Sequence, residues 1–235
     1  MTKSILPERP LVSLIIRTKN EERWIGSCLR AVFRQTYNNI EVILVDNMST
    51  DQTVTKAKHF PITLVEIEEF LPGKAINDGI RESKGDIIVC LSGHCIPVGE
   101  YWLEKLICEL RNPEVAGVYG RQEPLSFSSD LDKRDLMITF GLDRKEQYKD
   151  NFFHNANSAV RREVLDKIPF NETITNIEDR FWAKEALSNG YKIVYEPEAS
   201  VYHYHGIHHD LNPTRAQKVV QIMEKIEGTT TQLNE

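Results

Sequence analysis

Two adjacent carboxylates, Glu178 and Asp179, open the segment IEDRFWAKEALSN, whose apolar spacing is typical of an amphipathic helix. A carboxylate at such a position can act as a general base that removes the proton of a hydroxyl group. Acidic residues are also common in the first turn of a helix, because they face the positive end of the helix dipole. The pair therefore predicts either a base with a companion that positions its neighbours, or an ordinary helix start.

Histidines cluster in the segment YHYHGIHH, which holds four of the seven in the chain. On a strand, His203 and His205 share one face and can both ligate a metal ion, although a complete site needs a third ligand. His94 follows Ser92 and a glycine after another apolar run, at a place where a metal ion or a diphosphate can bind. A hydrogen-bonded structural histidine and a histidine-rich surface strand are the alternatives.

Three further polar segments begin where apolar runs end. The carboxylate of Asp46, after EVILV, can accept hydrogen bonds from a nucleobase or from ribose hydroxyls. Thr18, after VSLIIR, can line a nucleotide pocket, and its neighbours Arg17 and Lys19 can meet phosphate. Lys74 lies at the predicted helix start in FLPGKAINDGI, where amide N–H groups and an ammonium favour phosphate oxygens. The alternative for each segment is a plain turn that leads into a helix.

The elements that carry these residues alternate between strands and helices. This alternation predicts an α/β fold with a mostly parallel central sheet flanked by helices. The carboxyl ends of parallel strands meet on one side, where ligands bind, so we expect residues 17–21, 46–51 and 92–97 to lie together. The predicted strands are 11–17, 41–45, 62–67, 86–91, 115–120, 191–195 and 199–204. The predicted helices are about 22–34, one ending near 59, 72–83, 99–110, 131–143, 161–167, 177–189 and a tail helix at 213–226.

Composition narrows the classes of protein to consider. The chain has 235 residues, 40% apolar and 27% charged, which is ordinary globular composition. Its net charge of −6 disfavours a sequence-independent nucleic-acid binder. Four cysteines without CxxC spacing, no signal peptide and no long apolar segment favour a cytoplasmic protein without a transmembrane segment. The motifs GxSxG and GxGxxG are absent, so a serine hydrolase and an ordinary dinucleotide dehydrogenase are not supported.

Taken together, these segments resemble one family, the GT-A glycosyltransferases of family 2. The resemblance runs from VSLIIRTKNEERWIG through VILVDNMSTDQT and PGKAINDGIRESKGDIIVCLSGHCIP to IEDRFWAKEALSNGYKIVYEPEASVYHYH, over roughly residues 10–206. It implies a Rossmann-like sheet and a single domain. Its expected parts are a nucleotide-sugar-binding half at about 10–120, an acceptor-binding half at about 121–210, and a helix and tail at 211–235.

The resemblance also implies roles for single residues. Thr18 and Glu21 correspond to the nucleoside pocket, and Asp46 corresponds to the carboxylate that binds the base or ribose. Asp179 corresponds to the catalytic base of an inverting transfer, with Glu178 as its companion. The loop that shapes the acceptor side contains the two asparagines Asn155 and Asn157.

One departure from the family pattern concerns metal binding. The acidic DxD motif that holds a divalent metal under the donor diphosphate is here Ser92-Gly93-His94. Since Mg²⁺ prefers oxygen ligands, three alternatives stay open. Mn²⁺ can bind His94 and His205; His94 and Lys74 can neutralise the phosphate without metal; or the donor is a CMP-sugar.

The resemblance therefore implies an inverting glycosyltransferase that moves a sugar from a nucleotide-sugar donor to a hydroxyl acceptor. The acceptor is expected to be a glycan or a lipid-linked glycan in surface polysaccharide or glycoconjugate synthesis, reached by a peripheral membrane contact if it is lipid-linked. The alternatives are a non-catalytic nucleotide- or glycan-binding protein and a nucleotidyltransferase. The last would need a glycine-rich loop after the first strand, where the chain has RTKNEE.

Overall fold

The computed structural model of the protein describes residues 6–206, and these form one mixed sheet with helices on both faces. Its strands are β1 (Val12–Thr18), β2 (Ile40–Asp46), β3 (Thr63–Glu66), β4 (Ile87–Ser92), β5 (Ile96–Pro97), β6 (Val115–Pro124), β7 (Lys145–Gln147), β8 (Asn157–Arg161) and β9 (Lys192–His203). Its α-helices are α1 (Ile25–Val32), α2 (Thr53–Ala57), α3 (Pro72–Arg81), α4 (Trp102–Cys108), α5 (Asp130–Thr139), α6 (Arg162–Leu165) and α7 (Glu178–Ser188).

The sheet has the strand order β3-β2-β1-β4-β8-β6-β9-β5, and β7 pairs with the N-terminal part of β9. The first four of these strands run parallel, whereas β8 runs antiparallel to both β4 and β6. In the parallel part, Thr18 lies opposite Asp46 and Arg17 lies opposite Ser92. The ends of three strands therefore meet at one edge, as the sequence led us to expect.

Strand β1 shows why the sheet is covered on both sides. Leu14 and Ile16 belong to one hydrophobic core, packed against α1, α2 and α4, whereas Ile15 belongs to a second core under α3, α5, α6 and α7. All three side chains are fully buried. Each contributes about 1.5–3 kcal/mol through burial of apolar surface, so a near-continuous apolar run is what this central strand requires.

Local signals set several helix ends. Pro72 occupies the first turn of α3, where its missing N–H is not needed. The hydroxyl of Ser129 accepts from the backbone N–H of Asp132 and caps α5. Gly190, with φ of +77°, follows the end of α7 in the left-handed conformation that glycine adopts without strain.

The C-terminal half of the sheet differs from the sequence prediction. Three short strands, β5, β7 and β8, were not predicted. Strand β8 (NSAVR) carries buried polar side chains, so it lacks the apolar signal of an inner strand. A single strand, β9, replaces the two predicted at 191–195 and 199–204. Pro197 lies in β9 between Glu196 and Val201, where the register of β9 against β6 shifts.

The predicted helices are present within residues 6–206, but several are shorter than the prediction. Helix α1 begins at Ile25 rather than near 22, and α2 ends at Ala57 rather than near 59. The predicted tail helix at 213–226 lies outside the described residues. No helix in the described part combines the length and the apolar character needed to cross a membrane.

Candidate active site at the carboxyl ends of the central strands

Asp46 ends β2 and is almost fully buried. One of its carboxylate oxygens accepts from the backbone N–H of Ser49 at 2.8 Å, and the other accepts from the Ser49 hydroxyl at 2.5 Å. Asp46 therefore stabilises the turn that follows β2. Each oxygen still has a lone pair that can accept from a ligand.

Thr18 ends β1 beside the turn that follows β4. Its side chain is buried, and its hydroxyl has no hydrogen-bond partner within the described part of the chain. A Cβ placed on Gly93 would lie 3.1 Å from that hydroxyl oxygen, so the glycine leaves little room between the two strand ends. A buried hydroxyl without a partner is uncommon, and a bound ligand is one way to satisfy it.

The loops that follow β1 and β2 are tied to each other. The backbone N–H of Asn20, a residue with φ of +54°, donates to the Ser49 hydroxyl at 2.8 Å, and the N–H of Thr50 donates to the Asn20 side chain at 2.9 Å. The N–H of Glu21 donates to the Thr53 hydroxyl at 2.7 Å. Asn20 and Ser49 therefore bridge the two loops, and the Thr53 hydroxyl fixes the backbone of Glu21.

Glu21 contacts a group of histidines. Its carboxylate lies 2.7 Å from Nδ1 of His94, and Nε2 of His94 lies 3.0 Å from Nε2 of His203. The ring of His205 lies 4.9 Å from that of His94 and 4.5 Å from that of His203, measured between centroids. Glu21 was expected in a nucleoside pocket, and here its carboxylate holds an imidazole.

Cys95 completes this group, which we call the histidine–cysteine cluster: His94, Cys95 and His203. One potential metal-ligand atom from each of the three residues lies within 4.8 Å of the others. Sequence reasoning proposed His94 with His205 and missed both Cys95 and His203 as partners of His94. No local sequence pattern indicates this contact, because it depends on tertiary structure. The antiparallel pairing of Ile96 with Tyr202, between β5 and β9, brings the two segments together.

The acidic pair lies at the start of α7. Ile177, just before it, has φ of +55°, a conformation that is strained for a β-branched residue. Asp179 accepts from the backbone N–H groups of Asn155 at 3.2 Å and Arg180 at 2.8 Å. Glu178 accepts from the Asn155 side chain at 3.3 Å. Asn155 therefore contacts both carboxylates, and the strained residue Ile177 directly precedes them.

An ion pair joins this helix start to the parallel strands. The guanidinium of Arg17, in β1, lies 3.2 Å from the carboxylate of Glu178, and both side chains are largely buried. The same guanidinium donates to the carbonyl of Pro72 at 3.4 Å. Since Arg17 pairs with Ser92 in the sheet, Glu178 lies at the same edge as the three strand ends.

Burial changes the acid–base behaviour of the pair. It raises the pKa of Asp179 above the ordinary aspartate value, although the backbone N–H groups of Asn155 and Arg180 oppose this rise. Burial, together with the charge of Asp179, also raises the pKa of Glu178, and Arg17 opposes that effect. A carboxylate with a raised pKa is a better proton acceptor when it is ionised.

Two predicted site residues have other roles in this structure. Asn157 is fully buried: its carbonyl accepts from Trp102 at 3.0 Å, and its amide donates to the carbonyls of Ala199 at 2.8 Å and Arg121 at 3.2 Å. These bonds hold the Asn157 amide inside the sheet layer, and its expected place on the acceptor side stays a prediction.

Lys74 is the second of these residues. Its ammonium pairs with Asp78 at 3.0 Å, one helical turn away on α3. It lines a cleft of about 480 Å³ between β3 and α3 whose lining also includes Glu66 and Glu68. The ammonium is thus paired with a carboxylate of its own helix, and the expectation that Lys74 binds the donor phosphate stays a prediction.

Sequence reasoning also missed an aromatic group beside the histidines. The guanidinium of Arg23 lies 4.5 Å from the ring centroid of Trp24, 5.3 Å from that of Phe127 and 5.5 Å from that of Tyr204. Tyr204 lies between His203 and His205 in the chain, so this group borders the histidine–cysteine cluster. Phe127 reaches it from the loop after β6, and no local pattern marks that residue.

The chain is similar to known glycosyltransferases. Residues 13–169 match the profile of the family described as Glycosyl transferase family 2. The glycosyltransferase AglE of Haloferax volcanii is 32% identical over 197 residues, which cover 79% of this chain and 64% of that protein. The O-antigen chain rhamnosyltransferase WbaN of Salmonella anatum is 29% identical, with coverage of 83% and 67%. The chain thus spans about two-thirds of the length of these relatives.

Solved structures show the same fold at lower identity. The mannosyltransferase PcManGT from Pyrobaculum calidifontis, in complex with GDP-Man and Mn²⁺, matches with a TM-score of 0.66 and 22% identity, covering 86% of this chain and 60% of that one. TarS from S. aureus matches with a TM-score of 0.65 and 17% identity, covering 82% of this chain and 60% of that one.

Proposed function

The chain belongs to glycosyl transferase family 2, and from this premise we propose that it transfers a sugar from a nucleotide-sugar donor to a hydroxyl group of an acceptor, with inversion at the anomeric carbon. Its fold is the GT-A fold. The observation that carries the proposal is the Arg17–Glu178 ion pair. It holds the acidic pair of α7 beside the strand ends at which the donor is proposed to bind.

In the proposed reaction Asp179 is the general base. Its carboxylate accepts the proton of the acceptor hydroxyl while that oxygen forms a bond to the anomeric carbon and the bond from this carbon to the donor phosphate breaks. The raised pKa of Asp179 favours the transfer of the proton. Glu178 positions Asn155 and Arg17 around the base, because it accepts hydrogen bonds from both.

The donor is proposed to bind across the strand ends of residues 10–120. The unpartnered hydroxyl of Thr18 and the remaining lone pairs of Asp46 suit the nucleoside. Ser92 and His94 are proposed to face the phosphates, with Glu21 fixing the imidazole of His94. A divalent ion held by His94 with His203 or His205 would supply positive charge to the leaving phosphate; the PcManGT complex contains Mn²⁺.

The acceptor is proposed to bind over residues 121–210, where Asn155 contacts both carboxylates. Relatives are named for O-antigen chains and for dolichyl-linked sugars. These names support a glycan or lipid-linked glycan as the acceptor, in the assembly of a surface polysaccharide or glycoconjugate. A lipid-linked acceptor would bring the protein into peripheral contact with a membrane.

Calorimetric titration with UDP, GDP, dTDP, CDP and CMP tests the donor site. We expect one nucleotide to bind one site per chain, and we expect Asp46→Asn to weaken it at least tenfold. Asp143→Asn, an exposed acid on the loop after α5, is the matched control and should bind normally. Failure of all five nucleotides to bind, with and without divalent ions, would contradict the proposal.

A further inference from the structure

We propose that the histidine–cysteine cluster of His94, Cys95 and His203 is a site for a borderline-soft transition metal ion, Zn²⁺ in preference to the Mg²⁺ or Mn²⁺ that the family resemblance implies. The inference deepens the proposed function, because His94 is proposed to face the donor phosphate. Zinc binding itself does not depend on sugar transfer, so the two can fail separately.

The geometry is close to that of a zinc site. The two Nε2 atoms of His94 and His203 lie 3.0 Å apart, and one ligand atom from each of the three residues lies within 4.8 Å of the others. Zn–N bonds of about 2.0–2.1 Å and a Zn–S bond of about 2.3 Å place neighbouring ligand atoms of a tetrahedron roughly 3.3–3.6 Å apart. Since the three ligand atoms lie within 4.8 Å of one another, shifts of roughly 1 Å would bring them to those distances.

The backbone holds these ligands in place. The N–H of Cys95 donates to the carbonyl of Ser92 at 2.9 Å and closes the turn that carries His94. The next residue, Ile96, pairs with Tyr202 in β9, which fixes the turn against His203. The side chains of Cys95 and His203 are 0% and 2% exposed. Burial raises the pKa of the Cys95 thiol, so binding of the ion must displace its proton.

Glu21 supplies the support that metal-binding histidines usually have. Its carboxylate lies 2.7 Å from Nδ1 of His94, which favours a proton on Nδ1 and leaves Nε2 as the atom available to the cluster. The Nε2 atom of His203 approaches that same atom. Two imidazole nitrogens that face each other can share a proton, or both can bind one metal ion. A thiol nearby, which is a third potential ligand, favours the metal ion over the shared proton.

The ligand types decide which ion is preferred. Mg²⁺ requires oxygen ligands in octahedral geometry, whereas this cluster offers two nitrogens and one sulfur. Thiolate and imidazole ligands favour zinc, and zinc binds nitrogen and sulfur sites more tightly than manganese does. His205, whose ring centroid lies 4.5 Å from that of His203, can provide the fourth ligand. If it does not, the fourth position is open to a phosphate oxygen.

Cobalt provides a readout that is independent of activity. The full chain, stripped with a chelator, is titrated with Co²⁺ and then with Zn²⁺ and Mn²⁺. We expect one Co²⁺ per chain with a thiolate-to-cobalt absorption band, displacement by one equivalent of Zn²⁺, and no displacement by a hundredfold excess of Mn²⁺. Cys95→Ser should lose the band, and Cys108→Ser, the matched control at an exposed cysteine, should keep it.

A second variant covers the case in which Cys95→Ser fails to fold. Zn²⁺ should raise the thermal unfolding temperature of the natural protein and leave that of His203→Asn unchanged. Absence of stoichiometric Co²⁺ or Zn²⁺ binding, a cobalt complex without the thiolate band, or tighter binding of Mn²⁺ than of Zn²⁺ would overturn the inference. Zinc binding without sugar transfer would overturn the proposed function alone, whereas transfer without zinc binding would overturn only this inference.

Discussion

At the scale of single residues, the candidate base carries a cost in stability. Asp179 is buried at the start of α7, and the two backbone N–H groups that bind it only partly offset the loss of water. Its neighbour Glu178 is buried as well and adds a like charge. Two adjacent buried carboxylates with raised pKa values are more easily explained by the chemistry they can perform than by the stability of the fold.

The pH dependence of stability tests this view. Because folding raises the pKa of Asp179 above the ordinary value of 3.8, the folded chain binds more protons than the unfolded chain between the two pKa values. The free energy of unfolding therefore falls as pH rises through that window, by about 1.4 kcal/mol for each unit of the rise, and stays lower above it. Urea unfolding from pH 4 to 8 should show that Asp179→Asn gains stability relative to the natural protein as pH rises.

The exposed acid Asp143 provides the control for this comparison. Asp143→Asn removes an exposed carboxylate on the loop after α5 and is measured beside Asp179→Asn at each pH. The opposite result is that Asp179→Asn loses stability relative to the natural protein as pH rises. It would mean that the folded state favours the ionised carboxylate. That result would contradict a raised pKa.

At the scale of secondary-structure elements, close approach between β6 and β9 positions the inner strands. A Cβ on Gly120 would lie 2.0 Å from the carbonyl oxygen of Ala199 and 2.4 Å from the amide nitrogen of Asn157. The same amide holds the carbonyls of Ala199 and Arg121. These contacts join the start of β8 to β6 and β9, and β8 follows Asn155, which contacts the acidic pair.

We therefore expect Gly120→Ala to be severely destabilising. Backbone atoms at that distance cannot move aside without separating the strands, and overpacking of a core typically costs about 1–3 kcal/mol or more. Thermal unfolding should show a lower transition temperature and a lower yield of folded protein. Gly141→Ala is the matched control, since nothing lies within 4 Å of a Cβ there. Equal stability of the two variants would contradict the close approach.

The parallel strands were predictable from the sequence and the later ones were not, for a physical reason. Strands such as β1 and β4 are buried on both faces and read as apolar runs. In β8, buried Asn157 and Arg161 satisfy their polar groups through tertiary hydrogen bonds, which no local pattern shows. The same distinction applies to the site: the strand ends were predictable, whereas the contact between His94 and His203 depends on the pairing of β5 with β9.

At the scale of the whole molecule, two distant parts of the chain meet at one edge of the sheet. Residues near the N-terminus supply the strand ends, and residues after 150 supply the carboxylate pair. The ion pair between Arg17 and Glu178 joins residues 161 positions apart in the sequence. Breaking a buried pair of this kind leaves an uncompensated charge, so the ion pair ties the proposed base to the proposed donor site.

The most direct test of the central claim is the rate of sugar transfer by Asp179→Asn, measured with the nucleotide-sugar whose nucleotide binds in calorimetry. If Asp179 is the base, turnover falls by about 10²–10⁴-fold while the nucleotide still binds as in the natural protein, and Asp143→Asn transfers normally. Turnover near that of the natural protein in a folded, nucleotide-binding Asp179→Asn would contradict the assignment.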